Sequence, residues 1–472
     1  MKIIQLIKPV TLLIFSIACA NKKDKEKASD TSVAKSIAAA PAVADTFETG
    51  KVITTILCKE NPAQSYALYI PAGKNRGPLP VIYFFDPHGD GALPVTKYKT
   101  LADLYGFILI GSNNSKNGND WSATENIWTV LAGDSKKRLQ INVNRIYTCG
   151  FSGGAKVAGY IALNHVEVKG VIAGGAALPD GTPPGNFRFS FTAIAGEGDM
   201  NMTDIAAFSA ALDKTQTKHR IIFFDGIHEW ATVNTMSIAL AGLQLDAMSE
   251  KLVPRNDSFI SNYIADSKKR IEDYTKSNNY IKADAECRVS ISMLSGLTGN
   301  ENWFVQKDSF IKKVPVYQKQ LQDRRKIIST EQNLKSEYMQ QFQQGDMNYW
   351  NKTIHHLQAK ANPATGEGAM YQRLLAYLSL AFYSISNQLI AQHQDKEAQY
   401  FVDLYKEDDA TNPEAWYFSA ILHARNGNAA AAKDDLLKAV ANGFTDKKRL
   451  RQQSEFINLP IDFNGMENKM KR

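Results

Sequence analysis

Arg145-Ile-Tyr-Thr-Cys-Gly-Phe-Ser152-Gly-Gly-Ala-Lys-Val-Ala-Gly-Tyr-Ile-Ala-Leu163 is the stretch on which the fold turns. Its first five residues are rich in β-branched and aromatic side chains, as a strand requires. From Ala155 to Leu163 small and apolar residues read as the start of a helix. Between them lies Gly150-Phe-Ser-Gly-Gly154, so a strand must bend sharply into a helix around one serine. The small flanking residues permit that bend. It leaves the Ser152 hydroxyl exposed above a helix N-terminus, the arrangement of a nucleophile elbow.

Outward from the elbow, residues 50–248 alternate strand and helix signals. Strands are predicted at 51–57, 65–70, 80–85, 106–112, 145–149, 170–176, 191–195 and 219–224. The first two, separated by Asn61-Pro62, read as an antiparallel pair. The later ones are short apolar runs joined by helical segments, which predicts a mostly parallel sheet covered on both faces.

A serine hydroxyl attacks a carbonyl only when a base takes its proton, a carboxylate orients the base, and N–H donors stabilise the oxyanion. With the serine after the fifth strand, the acid is expected after the seventh strand and the histidine after the eighth. Gly196-Glu-Gly-Asp199 follows the seventh, which makes Asp199 the acid, with Glu197 as its competitor. Asp225-Gly-Ile-His228-Glu-Trp230 follows the eighth and supplies His228. For the oxyanion, the N–H of Gly153 is one expected donor. The loop Asp86-Pro-His-Gly-Asp-Gly91 after the third strand offers the N–H of Asp90 as the second.

Together these residues resemble the α/β-hydrolase superfamily over residues 50–248. The His88-Gly89 loop, the elbow and the Gly226-Ile-His228-Glu-Trp230 ending are similar to secreted esterases grouped with polyhydroxybutyrate depolymerases and feruloyl or acetyl-xylan esterases. The resemblance implies an eight-stranded α/β-hydrolase fold and carboxylic ester hydrolysis without a cofactor or metal. The chain departs from that group in lacking its cysteine pattern and in adding a helical C-terminal half. The loop Asn113-Asn-Ser-Lys-Asn-Gly-Asn-Asp-Trp121, polar beside an aromatic, suits a sugar-linked or hydroxy-acid ester. A peptidase or acyltransferase using the same three residues is the alternative within the fold.

Residues 249–472 form a second, helical domain by pattern. Ala398, Val402 and Tyr405 recur 34 residues later as Ala432, Leu436 and Ala439, most clearly within 379–446. That period resembles the tetratricopeptide repeat, whose paired helices need small residues where they cross; an amphipathic bundle with a chance alanine register is the alternative. A repeat surface of this kind implies a protein partner, and a non-catalytic scaffold is the rival reading of the whole chain.

The N-terminus reads as a targeting segment. Lys2 and Lys8 precede the short apolar run Val10-Thr-Leu-Leu-Ile-Phe-Ser-Ile-Ala18, too brief to span a bilayer. Ser16-Ile-Ala-Cys19 resembles a bacterial lipobox, which implies a signal peptide over 1–18, acylation of Cys19 and a place on the cell envelope, at the periplasmic face or the cell surface. An ordinary signal peptide cut at Ala18 or Ala20 is the alternative. Residues 19–49, charged and then rich in alanine, read as a flexible tether.

Composition narrows the rest. The net charge of +7 includes Lys2 and Lys8, and no basic stripe with interleaved aromatics occurs, so a nucleic-acid partner is not expected. Beyond Cys19 only Cys58, Cys149 and Cys287 remain, neither a disulfide framework nor a metal-ligand spacing. Cys149, inside the strand before the elbow, reads as a small buried hydrophobe.

Overall fold

The computed structural model of the chain describes residues 46–73, 77–297, 301–457 and 459–470. Cys19, the signal peptide expected over 1–18 and most of the tether expected over 19–49 lie outside the described residues. The described chain divides into two compact units, one reaching Arg325 and the other running from Lys326.

The first unit is built on one eight-stranded sheet: β1 (Val52–Leu57), β2 (Ser65–Tyr69), β3 (Leu79–Phe85), β4 (Ile108–Ser112), β5 (Ile141–Phe151), β6 (Val168–Gly174), β7 (Ser190–Gly196) and β8 (His219–Phe224). Their order is β1-β2-β4-β3-β5-β6-β7-β8. β2 is antiparallel to β1 and to β4, and every later pairing is parallel. This is the α/β-hydrolase fold, followed by a large all-α region.

Helices fill the crossovers on the parallel side of the sheet, except that from β6 to β7: α1 (Ala92–Tyr105), α2 (Trp121–Arg138), α3 (Gly153–Asn164) and α4 (Met202–Leu212), with α5 (Val233–Ser249) after the last strand. Side chains alternate across the strands, as the two-residue period demands. Ile82, Phe84, Leu109 and Ile172 enter one buried layer with Tyr98 of α1 and Leu240 of α5. Val81, Tyr83, Phe85 and Ile110 enter the other with Trp128 of α2 and Ile161 of α3. Both faces of the sheet are thus covered, which explains why its central strands read as unbroken apolar runs.

This unit continues past residue 248, where the sequence suggested a boundary. α6 (Asp257–Lys276), α7 (Tyr280–Leu294) and α8 (Glu301–Ile311) bury Ile264, Ile271, Val289, Met293 and Phe304 in the same layer as α5. α7 lies on the edge strand, where Ser292 Oγ donates to the His219 carbonyl at 2.7 Å. That bond caps one carbonyl of the edge strand, whose unpaired groups would otherwise invite association.

α9 (Pro315–Gln344) leads into the second unit, which is helical throughout its described residues: α10 (Met347–Lys360), α11 (Gly366–Ala391), α12 (Asp395–Asp408), α13 (Pro413–Arg425), α14 (Ala429–Ala441), α15 (Lys447–Gln452) and α16 (Phe463–Lys469). α12 and α14 begin 34 residues apart, and Ala398 and Ala432 are fully buried. α11 is the one helix among the described residues long and apolar enough to cross a membrane. Its Leu374, Leu378 and Phe382 are buried in a core shared with Trp350, Ile354 and Leu404.

Candidate active site

β5 ends at Phe151 and α3 begins at Gly153, leaving Ser152 alone at the corner. Its φ of 54° and ψ of −122° lie where L residues are strained, by roughly 1–3 kcal/mol. The surroundings enforce that geometry. Ser152 N–H donates to the Gly174 carbonyl of β6 at 2.8 Å, and the Ser152 carbonyl accepts from Ala155 N–H at 3.0 Å. The corner is tight enough that a Cβ on Gly150 would overlap the Gly154 carbonyl oxygen, and one on Gly154 the Phe85 carbonyl oxygen. The two glycines are therefore the steric condition for the turn.

Two further strand ends bring their side chains to this corner. After β7, Gly198 N–H donates to the Gly226 carbonyl at 2.8 Å, and Asp199 N–H to the Gly196 carbonyl at 3.1 Å. This turn buries Asp199, which is 1 % exposed. After β8 the chain delivers His228, whose Nδ1 lies 3.0 Å from both Asp199 carboxylate oxygens. His228 Nε2 lies 2.9 Å from Ser152 Oγ. With the proton on Nδ1 donated to the carboxylate, Nε2 is free to accept the serine hydroxyl proton. The Phe151 ring packs on the imidazole with centroids 4.7 Å apart.

Glu197, the competitor for the acid position, turns elsewhere and pairs with Arg324 at 3.1 Å. Asp199 receives a second hydrogen bond, from Asn201 N–H at 2.8 Å, and Asn201 Nδ2 donates to the Gly175 carbonyl at 2.8 Å. Asn201 thereby ties the loop after β6 to the acid, a role with no motif to announce it.

The oxyanion donors divide. Gly153 N–H has no acceptor among the described residues. Asp90 N–H points at Asp86 Oδ1, 3.5 Å away, so the donor expected from the loop after β3 is turned toward that loop's own carboxylate. Asp86 is 3 % exposed and also accepts from His88 N–H at 2.8 Å and from the Trp230 indole at 2.9 Å. Burial would raise the Asp86 carboxyl, but the hydrogen bonds from His88 and Trp230 outweigh it and hold it below the usual carboxylate range. Neither Asp86 nor Trp230 carries a sequence signal for this role beyond its position beside a motif.

Cys149 is fully buried, and burial pushes its thiol well up, which keeps it protonated and unreactive. Among the described residues no three His, Cys, Asp or Glu side chains gather as metal ligands would. A cavity of about 880 Å³ lies apart from Ser152, against β8, α4 and α7. Within its lining Arg324 pairs with Glu197 and Arg288 with Asp284, while Lys282 pairs with Asp225 outside it.

Compared with known proteins, the sequence matches no protein-family model and no curated protein. Among solved structures it is similar to a hyperthermophilic esterase from the archaeon Pyrobaculum calidifontis, at 14 % identity over 43 % of this chain and 85 % of that one, with a TM-score of 0.34. A thermostable carboxylesterase cloned from a metagenomic library is 11 % identical over 43 % of this chain and 91 % of that one, with a TM-score of 0.36. An S-formylglutathione hydrolase from Agrobacterium tumefaciens is 16 % identical over 39 % and 89 %, with a TM-score of 0.32.

Proposed function

We propose that this chain hydrolyses carboxylic esters through Ser152, with His228 as the base and Asp199 as the carboxylate that orients it. One observation carries the reading: a single imidazole is hydrogen-bonded to a hydroxyl at 2.9 Å on one side and to a buried carboxylate at 3.0 Å on the other. Ser152 Oγ attacks the acyl carbon as its proton passes to His228 Nε2. The carbonyl electrons move onto oxygen, where the Gly153 N–H meets the developing charge. When the carbonyl re-forms, the bond to the alkoxy oxygen breaks and His228 returns the proton to the departing alcohol. Water, deprotonated by the same nitrogen, attacks the acyl-enzyme and releases the acid and free Ser152. Asp199 keeps the proton on Nδ1 throughout, so Nε2 remains the end that exchanges it.

The alcohol side of the substrate is proposed to be a sugar or hydroxy acid. Trp121, 42 % exposed, stacks on Tyr160 with centroids 4.5 Å apart, and the polar loop 113–120 precedes it. The test is labelling of the purified protein by a fluorophosphonate, with Ser152→Ala as blank, followed by panels of acyl, sugar and peptide substrates. Labelling and ester cleavage, both lost in the variant, support the reading. A folded but unlabelled wild type would leave a scaffold, and cleavage of peptides alone would make the protein a peptidase. Transfer of the acyl group to an added alcohol in preference to water would make it an acyltransferase.

The proposal also places the protein on the bacterial envelope, held by acyl chains on Cys19, with the second unit as a tetratricopeptide-like surface for a protein partner. The lipobox-like Ser16-Ile-Ala-Cys19 supports the anchor, and the burial of Ala398 and Ala432 at a 34-residue spacing supports the repeat. Incorporation of a labelled fatty acid, abolished by Cys19→Ser, is the outcome expected of the anchor; unchanged incorporation in that variant would refute it.

A further inference from the structure

Three backbone N–H groups that follow β3 turn toward Asp86. His88 N–H donates to Asp86 Oδ1 at 2.8 Å, Gly89 N–H to the Asp86 carbonyl at 3.1 Å, and Asp90 N–H points to Oδ1 at 3.5 Å. Gly91 rests on β4, since a Cβ there would overlap the Gly111 carbonyl oxygen. β4 lies two strand spacings from β5, roughly 10 Å. An oxyanion on a carbon bonded to Ser152 Oγ needs donors about 3 Å from its oxygen. Gly153 N–H is one, and the loop after β3 does not offer the second.

One polar side chain does reach this corner. The loop after β4 passes over the end of β3: Asn117 N–H donates to the Pro87 carbonyl at 2.8 Å, and Lys116 forms a bridge with His88. It carries Asn117 to the end of β5, where the carboxamide rests against Gly153. A Cβ on residue 153 would overlap Asn117 Oδ1 and stand 3.5 Å from Nδ2. Glycine at 153 therefore leaves room for a side chain that belongs to another loop. The Asn117 carboxamide makes no hydrogen bond with the described residues. Its terminal torsion is broad and two-fold, so its oxygen and nitrogen ends can exchange.

We propose that the Asn117 carboxamide is the second oxyanion donor, acting with the Gly153 N–H in the place expected of the Asp90 N–H. The inference rests on Ser152 being the nucleophile. As negative charge builds on the acyl oxygen, the Nδ2 end turns inward and donates to it. No bond to Asn117 forms or breaks. An unbonded amide is suited to this use, because it surrenders no existing hydrogen bond when the charge appears.

Asn117→Ala should lower kcat for p-nitrophenyl acetate by about 100-fold while KM stays within about twofold. Affinity for a trifluoromethyl ketone, which forms a tetrahedral oxyanion on the serine, should fall in parallel. Asn117→Asp places a carboxylate where the oxyanion forms, so it should be slower than Asn117→Ala at neutral pH. The ratio of the two variants' rates should then close as the pH falls and that carboxylate takes up a proton. A merely structural role would leave the ratio flat. A folded Asn117→Ala variant within about threefold of wild-type kcat, or a ratio indifferent to pH, would overturn the assignment while leaving Ser152 as nucleophile. A wild type that neither reacts with fluorophosphonate nor cleaves any ester sinks both readings.

Discussion

The Trp230 indole N–H donates to Asp86 Oδ2 at 2.9 Å, joining residues 144 positions apart. Asp86 follows β3, and Trp230 lies two residues beyond His228. One buried carboxylate therefore sets the loop after β3 and anchors the segment that presents the imidazole. Trp230 sits among aromatic rings, with Phe84, Tyr98 and Phe151 centroids within about 6 Å.

Trp230→Phe keeps much of the apolar packing but removes the donor. It should cost about 1–3 kcal/mol in urea denaturation, because Asp86 Oδ2 is left buried without a partner. Asp86 is held below its unfolded value, so its stabilisation is present above about pH 4 and lost as pH falls through the folded value. The variant should show a shallower loss of stability in acid than wild type, measured by melting between about pH 2 and 5.

Ser152→Gly and Ser152→Ala should both abolish fluorophosphonate labelling, yet differ in stability. Alanine keeps a Cβ at φ 54° and glycine removes it, so the glycine variant should be more stable by about 1 kcal/mol. Equal melting temperatures would show that the corner carries little strain.

Gly154→Ala tests the tightness of the turn. The added methyl would overlap the Phe85 carbonyl oxygen, which is strand backbone and cannot rotate aside. A loss of about 1–3 kcal/mol is expected, with activity falling further than stability because Ser152 is displaced. The readouts are urea denaturation and the rate of fluorophosphonate labelling.

Arg220, fully buried, gives two hydrogen bonds to Asp246 at 3.1 and 2.5 Å and one to Thr192 Oγ1 at 2.8 Å. Asp246→Ala should cost about 3–5 kcal/mol by leaving the guanidinium unpaired. Pairing it with Arg220→Met should recover much of that loss in a denaturant titration. A double variant no better than the single one would show that Lys218, which also pairs with Asp246 at 2.9 Å, and Thr192 decide the site.

Burial, with a hydrogen bond to Asp308, pushes the Asp284 carboxyl up to about 6. A raised value means that its contribution is full below its unfolded value near 4 and lost as pH rises through about 6. Asp284→Asn cannot ionise, so its melting temperature should move above that of wild type between about pH 4 and 6 and keep that lead beyond. A lead that does not change with pH would refute the shift.

Much of the first unit is legible residue by residue. The apolar runs at 80–85 and 219–224 could hardly be surface loops, and Gly150-Phe-Ser-Gly-Gly154 admits few conformations because its glycines meet backbone on both sides. Asp199 and His228 are found by counting strands. The choice between Asp199 and Glu197 is of another kind: the two are neighbours in a turn closed by Gly226, and Arg324 draws one of them away. The direction of the Asp90 N–H likewise hangs on Asp86, whose own position depends on Trp230. α6 to α8 read as helices, but nothing in their pattern says that they cover β8.

Local sterics and side-chain periodicity, both properties of a few consecutive residues, were enough to determine where this chain extends, where it coils and where it must bend at Ser152. Which carboxylate meets His228, where the Asp90 N–H and the Asn117 carboxamide lie and which helices share the sheet's core were decided only by tertiary structure. Those outcomes depend on hydrogen bonds and packing between segments far apart in the chain, whose partners become neighbours only once the sheet has formed.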